Sequence, residues 1–450
     1  MSTTGRVLVR LAAALLLAGC ANARPEQAMS VTAADGRLIP LDSITTAFTV
    51  GGVRVILRPN FATDVVAVNL YLLGGSRQLK TDTQGVEPLL LDVAAFGSAH
   101  YPADSSRTAW GRTGSHLTVD TEADWTLYGF RGIKQEFDSS WNIFADRLMH
   151  PTLAANDVEV VRNKMLARIH RRHDNPDGLV SLLADSAAFT GHPYALDPDG
   201  TERSLTTLDS ATLARYVASQ IVTSRMLVVV VGSVSRMQVE AAVARTLAKL
   251  PPGNYLWTLP APAPRRSSSV LFVARPAATN YVLGWFQGPT AIDPDYPAFR
   301  MATAWLSSRI SNAVREQRGL SYVARAPMIE RGVTAGGIYV TTTAPQIVMP
   351  LIRAQFDSMR VLFGYSMRYF SEQFIMDYYA ENSSDAAQAD FLARAELYRG
   401  DYRKATQAME DLRHVTLGDI RNAADRYFRD IHFAYVGDTN RVTRELFTKF

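Results

Sequence analysis

The chain has 450 residues, 47% of them hydrophobic, and a formal net charge of +4. That length can bury two sizeable cores, and a nearly neutral balance without a basic block excludes an obvious nucleic-acid partner. One cysteine, Cys20, leaves no intramolecular disulfide and no thiol catalysis.

Residues 1–20 read as a targeting segment. Arg6 and Arg10 flank or interrupt an apolar run over residues 7–18, too short to span a bilayer comfortably. It ends in Leu17-Ala18-Gly19-Cys20, which resembles the lipobox of bacterial lipoproteins. The resemblance implies that Cys20 is lipidated. Ala21 follows it, with no Asp in that place, which favours the outer membrane. The expected location is therefore periplasmic, lipid-anchored, at the outer membrane. Residues 21–46 contain Pro25, Gly36 and Pro40 and read as a flexible tether.

A first folded unit is expected over residues 47–250. Residues 49–59 predict a β-hairpin turning at Gly51-Gly52, and residues 64–73 a strongly apolar strand. Gly74-Gly75-Ser76-Arg77 ends that strand. The stretch 85–98 predicts a helix with an apolar face of Val86, Leu89, Leu90, Val93 and Ala94. Pro88 is tolerated in its first turn, where a missing N–H costs nothing. Helices over 208–220 and 239–250 bracket a buried strand over 224–231 that ends at Gly232. Helices and strands mix without strict βαβ alternation, so the class is α+β.

Residues 251–269 are rich in Pro and Ser and read as a semi-rigid linker. A second unit, 270–450, repeats the plan. Strands are predicted over 270–274, 280–286 and 332–343, and helices over 296–317 and 350–362, with 369–397 mostly helical. A helix over 416–427 precedes a strand over 431–436 ending at Gly437. Val231-Gly232-Ser233 and Val436-Gly437-Asp438 close the two units alike, which suggests duplication.

The order of these landmarks is similar to that of the pitrilysin/insulinase family of inverted-zincin metallopeptidases. It runs hairpin, apolar strand, Gly75-Ser76-Arg77, Gly85, the helix, then Gly97-Ser98. Residues 115–128 resemble the family's central strand pair, and residues 151–176 its long helix, ending in Asp174-Asn175-Pro176. Gly191-His192-Pro193-Tyr194 followed by Gly200 resembles its H-P-Y…G loop. The resemblance covers nearly all of 47–450. It implies two duplicated α/β-sandwich domains of the mitochondrial processing peptidase type.

The family's H-x-x-E-H motif places two His ligands and a Glu base on one helical face. Here those positions hold Pro88, Leu91 and Asp92. Arg168 stands in the window where the family carries its third ligand, a Glu. These four residues form a degenerate metal site, and no metal or cofactor is expected in this chain. His170 and His173 near the end of the long helix fit a dipole-complementing role better than a metal site. His192 reads as a loop-packing residue, and His100, His116 and His150 as isolated.

The segment 314–322 (VREQRGLSY) resembles a C-terminal family segment whose Arg–Tyr pair binds the scissile carbonyl across a subunit interface. The matching residues are Arg315 and Tyr322; the spacing of Arg318 does not fit. The alternative is that Arg315 pairs with a carboxylate and Tyr322 packs in the sheet. The expectation is thus a non-catalytic subunit of a periplasmic zinc metalloendopeptidase heterodimer. A zinc-bearing homologous subunit would be its partner, and peptides or unfolded proteins its substrates. The alternative is a catalytically dead peptide-binding or scaffold lipoprotein, acting as a homodimer or in a membrane assembly. An active peptidase with an unusual metal set is the third reading.

Overall fold

The computed structural model describes residues 30–32, 38–40, 44–276, 278–362 and 367–450. The expected targeting segment with Cys20 and most of the expected tether lie outside them. Within that tether, β1 (Ser30–Thr32) and β2 (Leu38–Pro40) pair as a small antiparallel ribbon. Residues 45–450 form one compact unit.

Its first half opens with β3 (Thr46–Val50) and β4 (Val53–Pro59). Gly51 and Gly52 join them at φ 55° and 88°, the left-handed pair that a two-residue hairpin turn requires. There follow β5 (Val65–Leu73), α1 (Val86–Ala94), α2 (Ala103–Thr113), β6 (His116–Thr121) and β7 (Trp125–Ile133). Next come α3 (Phe137–Met149), α4 (Ala155–Asp174), α5 (Pro176–Ala188), α6 (Glu202–Thr207) and α7 (Ser210–Gln220). β8 (Met226–Gly232) and α8 (Arg236–Arg245) close the half. The strand order is β3-β4-β8-β5-β7-β6, with β8 parallel to β4 and antiparallel to β5.

The second half contains β9 (Ser269–Ala274), β10 (Asn280–Gln287), α9 (Tyr296–Ser311), β11 (Ser321–Arg325), β12 (Met328–Ile329) and β13 (Ala335–Thr342). α10 (Pro345–Ser358), α11 (Met367–Glu381), α12 (Asp385–Arg399), α13 (Lys404–Arg413) and α14 (Leu417–Tyr427) follow. β14 (His432–Gly437) and the single turn α15 (Glu445–Thr448) end it. Its sheet runs β11-β13-β10-β14-β9. β14 is parallel to β9 and antiparallel to β10, as β8 is to β4 and β5. The last strand of each half therefore inserts into the middle of its sheet and ends on a glycine, Gly232 or Gly437.

The strands alternate apolar residues on both faces, so each sheet must be covered twice. In the first sheet Leu57, Leu70, Val228 and Val230 pack against helices of the same half, with Leu89, Phe144 and Val161 opposite them. In the second, Phe286, Ile338, Phe433 and Tyr435 do the same against Met301, Ile352 and Ile420. The remaining faces are covered by exchange. Ile56, Tyr71, Val229 and Val231 of the first sheet pack on Ala389, Leu392 and Ala393 of α12, from the second half. Leu283, Trp285, Ala434 and Val436 of the second sheet pack on Leu179, Val180 and Ala184 of α5, from the first half.

Three expectations need correction. The 251–269 segment is not a spacer. Tyr255, Trp257 and Leu259 join the α12 core and Ala263 joins the α5 core, while the Trp257 indole donates to the Leu397 carbonyl at 2.9 Å. The helix expected from Pro350 starts at Pro345. Pro345 takes the first-turn position that suits proline, and Pro350 falls inside the helix at the cost of one backbone hydrogen bond. The helix expected from 239 likewise starts at Arg236, because Ser235 and Gln238 form a capping box.

The seam between the halves holds charge as well as apolar surface. Arg54 pairs with Glu396 at 3.0 Å. Buried Asp124 accepts from Tyr194 Oη at 2.7 Å and from the Gly332 amide at 2.8 Å, and pairs with Arg77 at 3.0 Å. In the β6–β7 turn, burial and Asp120 push the Glu122 carboxyl up to about 7, against Arg394 of α12 and Arg331.

Leu392 is fully enclosed against the first sheet. Leu392→Ala should destabilise the chain by about 2–5 kcal/mol in urea unfolding, although it lies in the other half. A Glu122 pKa raised from 4.5 to about 7 contributes stability below pH 4.5 that is lost as pH rises through 7. The urea midpoint should therefore fall between pH 4.5 and 7, and Glu122→Gln should flatten that fall.

Candidate functional site

Helix α1 begins where Gly85, at φ 79°, hands the chain into Val86. Gly85 lies against Gly200: a Cβ on either would come within 2.9 Å of the other's Cα. Two loops thus cross without room for side chains, and the loop 196–200 is pressed against the start of α1. Glu87, in the first turn, points inward. Its carboxylate pairs with Arg225 at 2.6 Å and accepts from Tyr216 Oη at 2.7 Å and from Thr126 Oγ1. Arg225 also donates to the Leu73 carbonyl at 2.8 Å. Burial opposes its charge, yet Glu87 and Tyr216 hold the guanidinium above its ordinary value. This fully satisfied buried pair clamps α1 to β5, β7 and α7.

The next residues are those that match the family's metal-binding positions by resemblance. Pro88 is the third residue of the helix, and Leu91 is fully buried in the first core. Asp92 is half-buried beside α4. Burial raises its carboxyl above the usual range, while Arg168 and Lys164 of α4 pull it down and Asp199 pushes it up. Arg168 reaches Asp199 at 3.5 Å, and Arg172 reaches Asp199 at 3.2 Å and pairs with Asp197. The Arg168 guanidinium is thus close enough to Asp92 to favour its charged form. What lies there is a network of three cations and three carboxylates.

A zinc site does not fit these residues. Of the four aligned positions only Asp92 offers a donor, and Arg168 opposes a dication there. Among the described residues no group of three or more His, Cys, Asp or Glu could hold a metal ion. The histidines do other work. His170 lies 3.7 Å from Glu202. His192 contacts the Ala261 carbonyl at 2.9 Å and accepts from the Tyr194 amide at 3.2 Å. His100 and His150, expected to be isolated, come together with ring centroids 6.0 Å apart, and Asp146 lies 2.7 Å from His100 Nδ1. That packing joins segments 50 residues apart in the chain and has no local signature.

Arg315 and Tyr322 lie at the far end of α9. The helix widens there into a π-helical turn, Asn312–Glu316, in which Gln317 N donates to the Asn312 carbonyl at 3.0 Å. Such turns cluster at functional positions. Gly319, at φ 61°, then reverses the chain into β11, the edge strand of the second sheet. The Arg315 guanidinium sits over the Tyr322 ring, 5.7 Å from its centroid. Tyr322 is 83% exposed and does not pack in the sheet. Arg315 is half-exposed and lies 3.5 Å from its neighbour Glu316. Both line a cavity of about 640 Å³, with Phe374, Tyr378, Asp377 and Glu381 of α11 on the opposite wall. Arg318 donates to the Ala313 carbonyl at 2.8 Å and serves the helix end. The cavity lining includes no residue of α1 or α4.

Residues 54–200 match the family described as Insulinase (Peptidase family M16), and residues 207–365 match Peptidase M16 inactive domain. An uncharacterized zinc protease of Bacillus subtilis is 23% identical over 41% of this chain and 45% of its own length. The mitochondrial-processing peptidase subunit beta of Blastocladiella emersonii is 23% identical over 54% and 52%. The chain thus spans about half the length of these curated relatives. Among solved structures, a peptidase M16 inactive domain from Pseudomonas fluorescens superposes with a TM-score of 0.79 at 20% identity, over 89% of this chain and 98% of that one. A protease from Helicobacter pylori gives 0.78 at 16%, over 87% and 99%. At such identities the structural likeness carries the fold, and the two sequence matches carry the family: the chain belongs to the pitrilysin/insulinase family, peptidase family M16.

Proposed function

We propose that this protein is the non-catalytic subunit of a periplasmic zinc metalloendopeptidase heterodimer, held at the outer membrane through Cys20. The observation that carries the reading is an asymmetry. Of the positions that match the family's metal site, Pro88 and Leu91 offer no donor and Asp92 and Arg168 lie in a cluster of opposite charges, while Arg315 and Tyr322 stand together, exposed, at the rim of a cavity. The partner in this reading is a homologous subunit with an intact zinc motif. This chain contributes a guanidinium and a phenol that donate hydrogen bonds to the carbonyl oxygen of a bound peptide. Negative charge develops on that oxygen during hydrolysis, so donors aimed at it lower the barrier.

A second reading is favoured by a separate observation. β6 is one of the two edges of the first sheet, with no further strand paired to it among the described residues, and its residues are half-exposed or exposed. An extended peptide can add to such an edge by main-chain hydrogen bonds, which suits a peptide-holding or scaffold protein with no catalytic partner.

The isolated chain should contain far less than stoichiometric zinc by elemental analysis, and should not cleave unfolded substrates alone. Co-expressed with a zinc-motif homologue, it should co-purify and support peptide hydrolysis. Arg315→Ala or Tyr322→Phe should then lower that rate about 10²–10³-fold without dissociating the pair, the loss typical of one oxyanion donor. An unchanged rate would remove Arg315 and Tyr322 from the chemistry. Binding of peptides by the chain alone, abolished by a proline in β6, would favour the second reading.

A further inference from the structure

The seam between the halves carries a second, basic pocket, remote from the residues above. Its cavity is about 320 Å³, within the range of small-ligand sites. Four segments meet there: the C-terminal end of α5 with Phe189, the linker at 262–266, the end of β10 with the loop to Asp293, and the end of α14 with Arg429, Asp430 and His432. Four guanidinium groups line it, from Arg265, Arg266, Arg426 and Arg429, against two carboxylates, Asp293 and Asp430.

The partners of these groups leave positive charge uncompensated. Arg426 is committed to Asp295. Arg266 donates to the backbone carbonyls of Ala187, at 2.6 Å, and Ala188, at 3.2 Å, and its Nε–H is buried without an acceptor. The Nε–H of Arg429 goes to the Arg426 carbonyl at 2.8 Å, which leaves its outer nitrogens free. Arg265 is exposed. Among the described residues, neither Arg265 nor Arg429 has a carboxylate within ion-pair distance. Trp285, also on the pocket wall, is 6% exposed and its indole N–H is buried without an acceptor. Buried donors without acceptors are uncommon in native proteins. Here two of them sit beside one cavity already crowded with cations.

We propose that this pocket binds a small, multiply charged oxyanion of the phosphate type, held by Arg265, Arg266 and Arg429. Guanidinium groups match phosphate oxygens in bidentate geometry, and several converging on one cavity select for more than a single negative charge. The neighbouring histidine agrees with a positive local potential. His432 Nδ1 lies 2.8 Å from Ser269 Oγ, and burial and the Arg266 guanidinium push it down to about 4, against Asp430. Because the pocket wall comes from α5, the linker and the second half together, a bound anion braces the seam.

Pyrophosphate is the probe. Titrated calorimetrically into the full chain at low ionic strength, it should bind saturably and raise the thermal midpoint. Arg265→Ala combined with Arg429→Ala should weaken binding at least about tenfold, the loss expected of removed charge-assisted hydrogen bonds. Both side chains are exposed, so the variant should keep the parent's circular dichroism. The indole N–H resonance assigned by Trp285→Phe should shift on titration. Vesicles of phosphatidic acid in phosphatidylcholine separate the sources of the phosphate. Co-sedimentation lost in the double variant assigns it to a lipid headgroup, and its absence with pyrophosphate binding retained assigns it to a soluble molecule. No saturable binding, or equal binding by the double variant, overturns the proposal.

Discussion

Helix α5 lies against a sheet none of whose strands come from its own half, and helix α12 returns the arrangement on the other side. The rest of the molecule depends on this exchange. A strand such as β8, with valines at 228–231 alternating between two cores, has no face that tolerates water. One layer of helices from the same half cannot cover it. The second layer has to come from elsewhere, and the duplicated plan supplies it reciprocally. The halves therefore resemble two repeats in sequence but not two separable domains in packing. The linker follows from the same need: Trp257 and Ala263 fill the margins of the two exchanged cores.

The former metal helix survives for a related reason. Five of its residues, Val86, Leu89, Leu90, Leu91 and Val93, belong to the first core, and Glu87 ties its first turn to Arg225. Removing the partner of such a buried ion is far more disruptive than losing a surface pair. The helix is thus fixed by groups that never touch a metal. Beside it, Asp92, Arg168 and Asp199 place opposite charges near one another.

Much of this was legible in the residues. The hairpin at Gly51-Gly52 and the twin closing strands at Gly232 and Gly437 follow from the residues themselves, because turns and strand ends are local. The family resemblance of segment 314–322 brings Arg315 and Tyr322 together, but not the π-helical turn beside them. That turn is one hydrogen bond shifted by one residue, and no composition signals it. The exchange was not legible. An apolar face declares that it must be covered and does not name what covers it, so α5 and α12 read as ordinary helices of their own halves. Asp199 stayed unnoticed beside Gly200, because its partners arrive from a helix some thirty residues earlier. The pairing of His100 with His150 was missed for the same reason.

The position of β14 has a temporal consequence. Residues 432–437 sit between β9 and β10, which the ribosome has delivered some 150 residues before. Until that last strand emerges, the centre of the second sheet is a gap with open edges on both sides. The first sheet fares little better: its own strands are finished by residue 232, yet one of its faces stays bare until α12 is made. The apolar faces of both sheets are therefore complete only when segments from the C-terminal part of the chain are in place.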